Sequence, residues 1–255
     1  MILRRLGNKK NISSDIVKYF PQHTYYIEPF FGAGGMFFNK PKAKYNIVND
    51  LDSDVFNLFQ VIINQKFELY EKLKLMPLHY DLFKYWKLNL EIDPIKKAMR
   101  FLFISNFTYL GKGGTLKFSL GDNSKKIMID NLSKTFDFIE DVIFVNKDFR
   151  NFFLSYQLRE DVMKCKVFIY CDPPYLGTSN NYSNSFTEQD SIDLFDCLQA
   201  TGCKFAMSEF DNEFILNQAK KRGLNVITIG ERRNLKNIRT EILITNYTNY
   251  SLFTL

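Results

Sequence analysis

Asp172-Pro173-Pro174-Tyr175 closes the apolar run Val167-Phe168-Ile169-Tyr170-Cys171 and is the segment of the chain best equipped for chemistry. The lone pair of an aromatic amine is conjugated into its ring. Such a nitrogen is a poor nucleophile until something accepts its N–H hydrogen bonds and draws it toward tetrahedral geometry. Asp172 offers a carboxylate for one N–H, and the backbone carbonyl that follows it can take the other. Pro173 and Pro174 hold that carbonyl rigidly and have no N–H of their own to compete. Tyr175 adds a flat face on which a planar base can stack. The same four residues could equally form a turn after a buried strand, since Pro and Asp are turn formers, so the neighbouring motifs decide between the two.

Those neighbours lie near the start of the chain. Thr24-Tyr25-Tyr26-Ile27-Glu28-Pro29 reads as a short strand running into the glycine-rich turn Phe30-Phe31-Gly32-Ala33-Gly34-Gly35. Glycine lets backbone approach a ligand closely, and the C-terminal mouth of an open α/β sheet is where such folds bind nucleotides. A second strand, Tyr45-Asn46-Ile47-Val48-Asn49-Asp50, ends in a carboxylate suited to ribose hydroxyls. A lone glycine turn is weak evidence. The ordered set of glycine turn, acidic strand end and Asp-Pro-Pro-Tyr is far harder to obtain by chance.

In that order the motifs resemble the Dam-type, or D12 class, DNA adenine-N6 methyltransferases, and the resemblance runs from Leu6-Gly7-Asn8-Lys9 to Thr240-Glu241-Ile242-Leu243-Ile244-Thr245-Asn246-Tyr247. It implies a class I methyltransferase domain, Rossmann-like, using S-adenosyl-L-methionine. Matched residue by residue, the cofactor lysine falls on Lys9, the glycine motif on Phe30, Phe31, Gly32 and Gly34, and the ribose-binding acid on Asp50. Val145-Asn146-Lys147-Asp148-Phe149 looks like the segment that contacts the cofactor's adenine, with Asp148 and Phe149 as its contacts. Asp172 is then shared between methyl donor and target amine. One departure is visible: four positions before the lysine the family usually has an aromatic residue, and this chain has Arg5.

Composition is compatible with that picture. The 255 residues are 45% hydrophobic and 16% aromatic, enough for one α/β domain with a smaller insert. No run approaches the ~18 apolar residues of a membrane span, and the basic start has no apolar stretch of a signal peptide, so a cytoplasmic protein is expected. Cys165, Cys171, Cys197 and Cys203 have no Cys-x-x-Cys spacing and read as reduced thiols, three of them in or beside core segments. With only His23 and His79 available, neither a histidine metal site nor a histidine triad has support.

Charge is unevenly placed. Residues 66–126 hold twelve Lys and Arg against six Asp and Glu, an excess of six that equals the net charge of the whole chain. Charge runs are usually solvated helical faces. Beside this set of motifs, the stretch is expected to bind DNA phosphates, through Lys96, Lys97, Lys112, Lys117, Lys125 and Lys126.

The expected organisation is a catalytic domain of residues 1–65 and 127–255 interrupted by a target-recognition insert, 66–126. Helices are predicted from Ser13 to Phe20 and near 52–65, and Asp93-Pro94 should start another, with Ile95, Met99, Leu102 and Phe103 as its core stripe. Lys112-Gly113-Gly114-Thr115 reads as the tip of a hairpin joining Phe107–Leu110 to Leu116–Leu120. Strands near 141–147, 166–171, 203–208, 225–230 and 241–247 then alternate with helices near 149–160, 188–201 and 212–222. Thr187 and Gly202 bracket the 188–201 helix. This alternation predicts a doubly wound, mostly parallel sheet. The resemblance implies that the last two strands, joined through Arg232-Arg233-Asn234-Leu235-Lys236-Asn237, form an antiparallel hairpin as in the methyltransferase sheet. Asn180-Asn181-Tyr182-Ser183-Asn184-Ser185 reads as a polar loop beside the site, either an ordinary surface loop or a lid.

The expected activity is methylation of adenine N6 in double-stranded DNA, with no metal. Another planar amine, such as cytosine N4 or adenine in RNA or a protein glutamine, is the nearest alternative, and a non-catalytic DNA-binding relic is another. The first letter of the tetrapeptide favours adenine, because the resemblance associates Ser-Pro-Pro-Tyr with cytosine and Asn-Pro-Pro-Tyr with glutamine. Relatives that read GATC carry an Arg/Asn-rich hairpin followed by Phe-Asn-Val-Pro. This chain has Asn106-Phe107-Thr108-Tyr109-Leu110-Gly111 there, which leaves the target sequence open. A cognate restriction endonuclease and a monomeric or weakly dimeric state are compatible with the resemblance.

Overall fold

The computed structural model describes residues 2–3, 9–117, 123–155, 163–177, 186–233 and 238–248. Seven strands make one sheet: β1 Tyr25–Glu28, β2 Tyr45–Asn49, β3 Ile143–Val145, β4 Val167–Cys171, β5 Lys204–Phe210, β6 Asn225–Arg233 and β7 Ile238–Thr245. Their order across the sheet is β3-β2-β1-β4-β5-β7-β6. The pairs from β3 to β5 are parallel, whereas β7 runs antiparallel to both β5 and β6. The sheet is therefore doubly wound and Rossmann-like, as expected, with an antiparallel end. Its order reverses between β1 and β4, where folds of this kind leave a crevice beyond the strands' C-terminal ends.

Local sequence explains the elements. Every residue of β4 is buried, the pattern of a central parallel strand covered on both faces. Helices α1 Ser13–Val17, α2 Ser53–Asn64, α3 Lys66–Leu75, α4 Tyr80–Leu88, α5 Pro94–Phe107, α6 Ser124–Ile139, α7 Phe149–Ser155, α8 Glu188–Thr201 and α9 Glu213–Lys221 follow their caps. Asp52 accepts Asp54 N–H at the start of α2, and Asp93 accepts Lys96 N–H before Pro94 in α5. His79 caps α4 by accepting Asp81 N–H at 3.1 Å, while His23 is held to the Pro21 carbonyl and burial lowers its pKa. At α8 the reciprocal Thr187/Asp190 capping box is complete, and Gly202 ends the helix at φ 66°.

One hydrophobic core lies on each face of the sheet. The smaller joins Ile27, Val167, Ile169 and Met207 to Leu194, Phe195 and Leu198 of α8. The larger runs from Tyr26, Val48 and Phe168 through Leu58 and Phe59 of α2 without a break to Leu69, Trp86, Leu102 and Phe103 of α3–α5. Helices α3–α5 thus pack on the sheet's own helix. Asn57 Nδ2 donates to the Pro94 carbonyl, whereas Lys97 pairs with Asp54, nearer the start of α2. As α5 advances its partners on α2 recede, so α5 is antiparallel to α2 and points toward the C-terminal edge of the sheet.

The predicted strand Phe107–Leu110 is corrected here. Helical periodicity continues to Phe107, which is fully buried, and the Thr108 hydroxyl donates to the Ile104 carbonyl at the helix end. The chain then makes a tight turn with Leu110 at φ 55° and Gly111 at φ 69°, closed by a single antiparallel bridge between Thr108 and Leu116. Residues 118–120, expected as the return strand, are outside the described residues, as are 156–160, 234–237 and the loop 180–185. No helix among the described residues is long and apolar enough to cross a membrane.

The capping box gives the first test. Thr187→Ala removes the side chain that takes part in it, and should lower stability by about 1 kcal/mol, seen as a fall in Tm of ~2–4 °C for a chain of this size. Unchanged melting would mean that α8 is held by packing alone.

Candidate active site

Three loops meet at the C-terminal edges of β1, β2 and β3, and their contacts follow from the strand ends. Phe31 N–H donates to the Asn49 carbonyl at 2.9 Å, which brings the glycine turn against β2. Asn49, buried, donates to the carbonyls of Pro29 and Lys147 and accepts Lys147 N–H at 3.0 Å. Asp50 accepts Gly32 N–H with one oxygen and Asp52 N–H, at 2.8 Å, with the other. Asn146 Nδ2 completes the lacing by donating to the Asp50 carbonyl at 2.7 Å. Asn49 and Asn146 were not singled out by sequence for this role; an amide at the end of a buried strand, where loop carbonyls need donors, was the available signal.

The turn itself is tightly built. Gly34 has φ 71°, and a Cβ there would lie 2.5 Å from the Phe38 ring, so a side chain is excluded twice over. At Gly32, φ 55°, nothing lies within 4 Å of where a Cβ would be, so the turn is open on that side while its N–H is held by Asp50. Of the expected cofactor residues, Phe30 and Phe149 come together, with ring centroids 5.6 Å apart. Phe186, which precedes the cap of α8, joins them at 6.1 Å from each, a third ring that the sequence reading missed. Phe31 behaves otherwise. Its ring is buried against Phe37, Phe59 and Phe144, so only its backbone serves the turn. Asp148 accepts Arg150 N–H at the start of α7, and Arg150 bridges to Asp190 and Asp193 of α8.

Across the switch point, Asp172 follows β4 with its side chain 21% exposed. Lys9, brought in by the N-terminal turn Lys9–Asn11, sends its ammonium to 2.7 Å from Asp172 and 3.2 Å from Glu241 of β7. The ammonium also donates to the Tyr175 hydroxyl, which itself donates to Glu241. Lys9 and Glu241 are each only 2% exposed. The expected cofactor lysine is therefore a buried partner of the Asp172 carboxylate. Tyr175 also differs from expectation. Its ring is buried edge-on against Phe210, centroids 4.7 Å apart, with the Lys9 ammonium 4.4 Å from its own centroid, so the tyrosine presents no broad open face. Burial raises the Tyr175 hydroxyl well above its ordinary pKa, which keeps it a donor.

Two more buried acids frame the tetrapeptide. Glu209 accepts Leu176 N–H at 2.8 Å and so fixes the chain just after Tyr175; burial pushes its carboxyl up to about 8. Glu28, at the end of β1, accepts the Tyr26 hydroxyl at 2.7 Å and is likewise pushed up to about 8 by burial. The Lys40 ammonium lies 3.7 Å over the Tyr26 ring. Arg5 is outside the described residues. No group of three or more His, Cys, Asp or Glu side chains among the described residues could hold a metal ion, and Cys165, Cys171, Cys197 and Cys203 are free thiols.

The insert's lysines divide into two sets. Lys96, Lys112, Lys117 and Lys126 are exposed. Lys97 is tied to Asp54 at 3.2 Å, and Lys125 donates to the Lys74 carbonyl at 2.8 Å, capping the end of α3. Lys112 and Lys117 flank the glycine turn carried by α5 toward the catalytic edge, where Lys117 N–H donates to the Phe107 carbonyl and Lys87 reaches the Gly114 carbonyl.

Comparison with known proteins identifies the family. Residues 6–235 match the family model of the D12 class N6 adenine-specific DNA methyltransferases. The retron Ec67 DNA adenine methylase of Escherichia coli is 26% identical over 213 residues, 78% of this chain and 72% of that protein. A DNA adenine methylase of Vibrio cholerae is 24% identical over 250 residues, 88% of this chain and 86% of its own length. That of Escherichia coli K12 is 25% identical over 208 residues, with 75% and 73% covered. With the motifs, the strand order and the family match in agreement, the chain belongs to the D12 class of N6 adenine-specific DNA methyltransferases.

Proposed function

We propose that this enzyme binds S-adenosylmethionine along the ends of β1, β2 and β3 and methylates N6 of an adenine flipped out of duplex DNA toward Asp172. The donor set suits that cofactor: a half-buried carboxylate for ribose hydroxyls at Asp50, the open side of the turn at Gly32, and the aromatic trio Phe30, Phe149 and Phe186 for a purine. When bound, S-adenosylmethionine supplies an electrophilic methyl group. The chain supplies acceptors and alignment, and for well-oriented groups alignment is worth up to ~7–11 kcal/mol.

Asp172 carries the reading. Its carboxylate, braced on one side by buried Lys9, sits at the switch point with part of its side chain accessible. There it accepts an N–H of the adenine amine, while the carbonyl that follows it accepts the other. Pro173 and Pro174 offer no competing donor. Extruding the base costs a few kcal/mol of unstacking. DNA contact is assigned to residues 66–126 as the target-recognition insert within a catalytic domain formed by 1–65 and 127–255. Lys112 and Lys117 approach the base edges, and Lys96 and Lys126 hold phosphates.

Asp172→Asn keeps shape but replaces an acceptor oxygen with a donor facing the N–H, so methyl transfer should fall by at least ~100-fold in a protein that melts normally. A well-folded Asp172→Asn enzyme with near wild-type transfer would sink the mechanism. Tyr175→Phe, expected from sequence to be mild because only a ring is needed, should now lower activity, since it removes the hydroxyl that links Lys9 and Glu241.

Asp50→Ala should weaken S-adenosylmethionine binding by about 1.5–3 kcal/mol, the range for hydrogen bonds to a charged group. Calorimetry without DNA measures it directly. Unaltered affinity would put the ribose elsewhere.

For the insert, Lys112→Ala with Lys117→Ala should change the penalty for wrong DNA sites, whereas Lys96→Ala with Lys126→Ala should weaken binding to all sequences and flatten its salt dependence. Lys125→Ala should lower Tm instead of DNA affinity, because its ammonium caps α3. Equal losses on every sequence from both pairs would refute the division.

A further inference from the structure

Methyl transfer at Asp172 leaves the basic link between the last two strands without a part. Arg232 and Arg233 end β6 and Arg239 stands second in β7, against one acid, Glu231. The last registered pair of β5 and β7 joins Phe210 to Glu241, so Thr240, Arg239 and Ile238 run on past the end of β5. At ~3.3 Å per residue that carries the hairpin about 10 Å further, on the edge where Asp172 follows β4. The register sets Arg232 directly opposite Arg239. Like charges so placed weaken an antiparallel pair, a cost that a bound anion would relieve.

Alternation along β7 puts Arg239 on the face that bears Glu241 and Leu243. Glu241 is the acid that reaches Lys9, and Leu243 belongs to the larger core, which α3–α5 share. The hairpin and the turn after α5 thus stand on one face of the sheet and at one edge. They occupy opposite ends of it, α2 and α5 lying toward β3 and the hairpin beyond β5, with Asp172 after β4 between them. The Arg239 guanidinium lies 5.4 Å from the Phe210 ring centroid, and that ring meets Tyr175 edge-on. Arg239 is only partly buried, and among the described residues no acid pairs with it.

We propose that the β6–β7 hairpin is a second DNA-binding surface, in which Arg239 holds a backbone phosphate of the strand that gives up the flipped adenine. Turning a nucleotide out of the duplex brings its flanking phosphates to the mouth of the pocket, and a planar guanidinium matches two phosphate oxygens at once. Stacking on Phe210 orients that group in advance. With the turn after α5 on one side and the hairpin on the other, the duplex is gripped across the site. The inference rests on the reading that adenine reaches Asp172.

Binding of the full chain to a fluorescein-labelled duplex of mixed sequence, followed from low to high salt, is the test, because a phosphate contact acts on every sequence. Arg239→Gln should weaken binding roughly fivefold at about 0.1 M salt and lower the salt slope by about 0.9, the share of one phosphate. Arg239→Lys keeps the charge and should retain most of the slope. Both variants should bind S-adenosylmethionine as the wild type does, which a purely structural role beside Phe210 and Glu241 would not predict. If Arg239→Gln melts early, the wild-type protein decides: phenylglyoxal should modify Arg239 more slowly when the duplex is bound, as read by mass spectrometry of its peptide. A folded Arg239→Gln protein with wild-type affinity and slope would overturn the contact. So would an Arg239→Lys protein that loses as much as Arg239→Gln, or a duplex that leaves Arg239 labelling unchanged. An Asp172→Asn enzyme that still transfers methyl groups would instead overturn the adenine reading.

Discussion

A lysine ammonium withdrawn from water is tolerated only when hydrogen bonds and opposite charge replace its hydration. Lys9 meets that condition by drawing on two distant parts of the chain: Asp172 and Tyr175 of the tetrapeptide after β4, and Glu241 of β7. Breaking such a cluster by removing one member typically costs ~3–5 kcal/mol, so its members constrain one another. The N-terminal turn, the catalytic segment and the antiparallel end of the sheet are held in register by this one charge.

On the other side of the switch point the constraint is of a different kind. There the loops after β1, β2 and β3 are joined by neutral or singly charged contacts to backbone, through Asn49, Asp50 and Asn146. Loops laced by strand-end side chains to one another's backbone keep their relative positions, so these strand ends present one fixed surface. The two halves of the site thus differ in kind, one a rigid backbone cradle and the other a tuned group of charges.

Much of this was legible in the sequence, and the rest was hidden for physical reasons. The parallel strands announce themselves as short apolar runs, and α8 is bracketed by Thr187 and Gly202, so their boundaries were predicted within a residue or two. The antiparallel end was also foreseen, but from the family resemblance and not from the residues of the link. By contrast, Phe107–Leu110 was misassigned because a buried helix end and a β-rich stretch share the same aromatic and β-branched residues. Asp172 and Asp50 were singled out from their places at strand ends and Lys9 from the family resemblance, and neither signal says anything of orientation. They did not reveal that Phe31 points into the core, that Lys125 caps a helix, or that the tyrosine ring is buried. Glu241 and Glu209 lie in strands whose pattern looks like that of any half-buried strand, and their importance arises only when the sheet brings β5 and β7 beside β4.

The placement of β7 between β5 and β6 has a bearing on how the molecule comes into being during synthesis. A ribosome releases β1 through β6 before Ile238–Thr245, so until that last strand emerges the antiparallel half of the sheet exposes two unpaired edges, which invite wrong pairing. The same strand carries Glu241, and contacts that join distant parts of a chain form late because their loop-closure cost must be met first. Edge protection and the buried acid beside Lys9 thus arrive together, in one late step, and a nascent chain halted short of β7 would hold Lys9 and Tyr175 without the carboxylate that both reach.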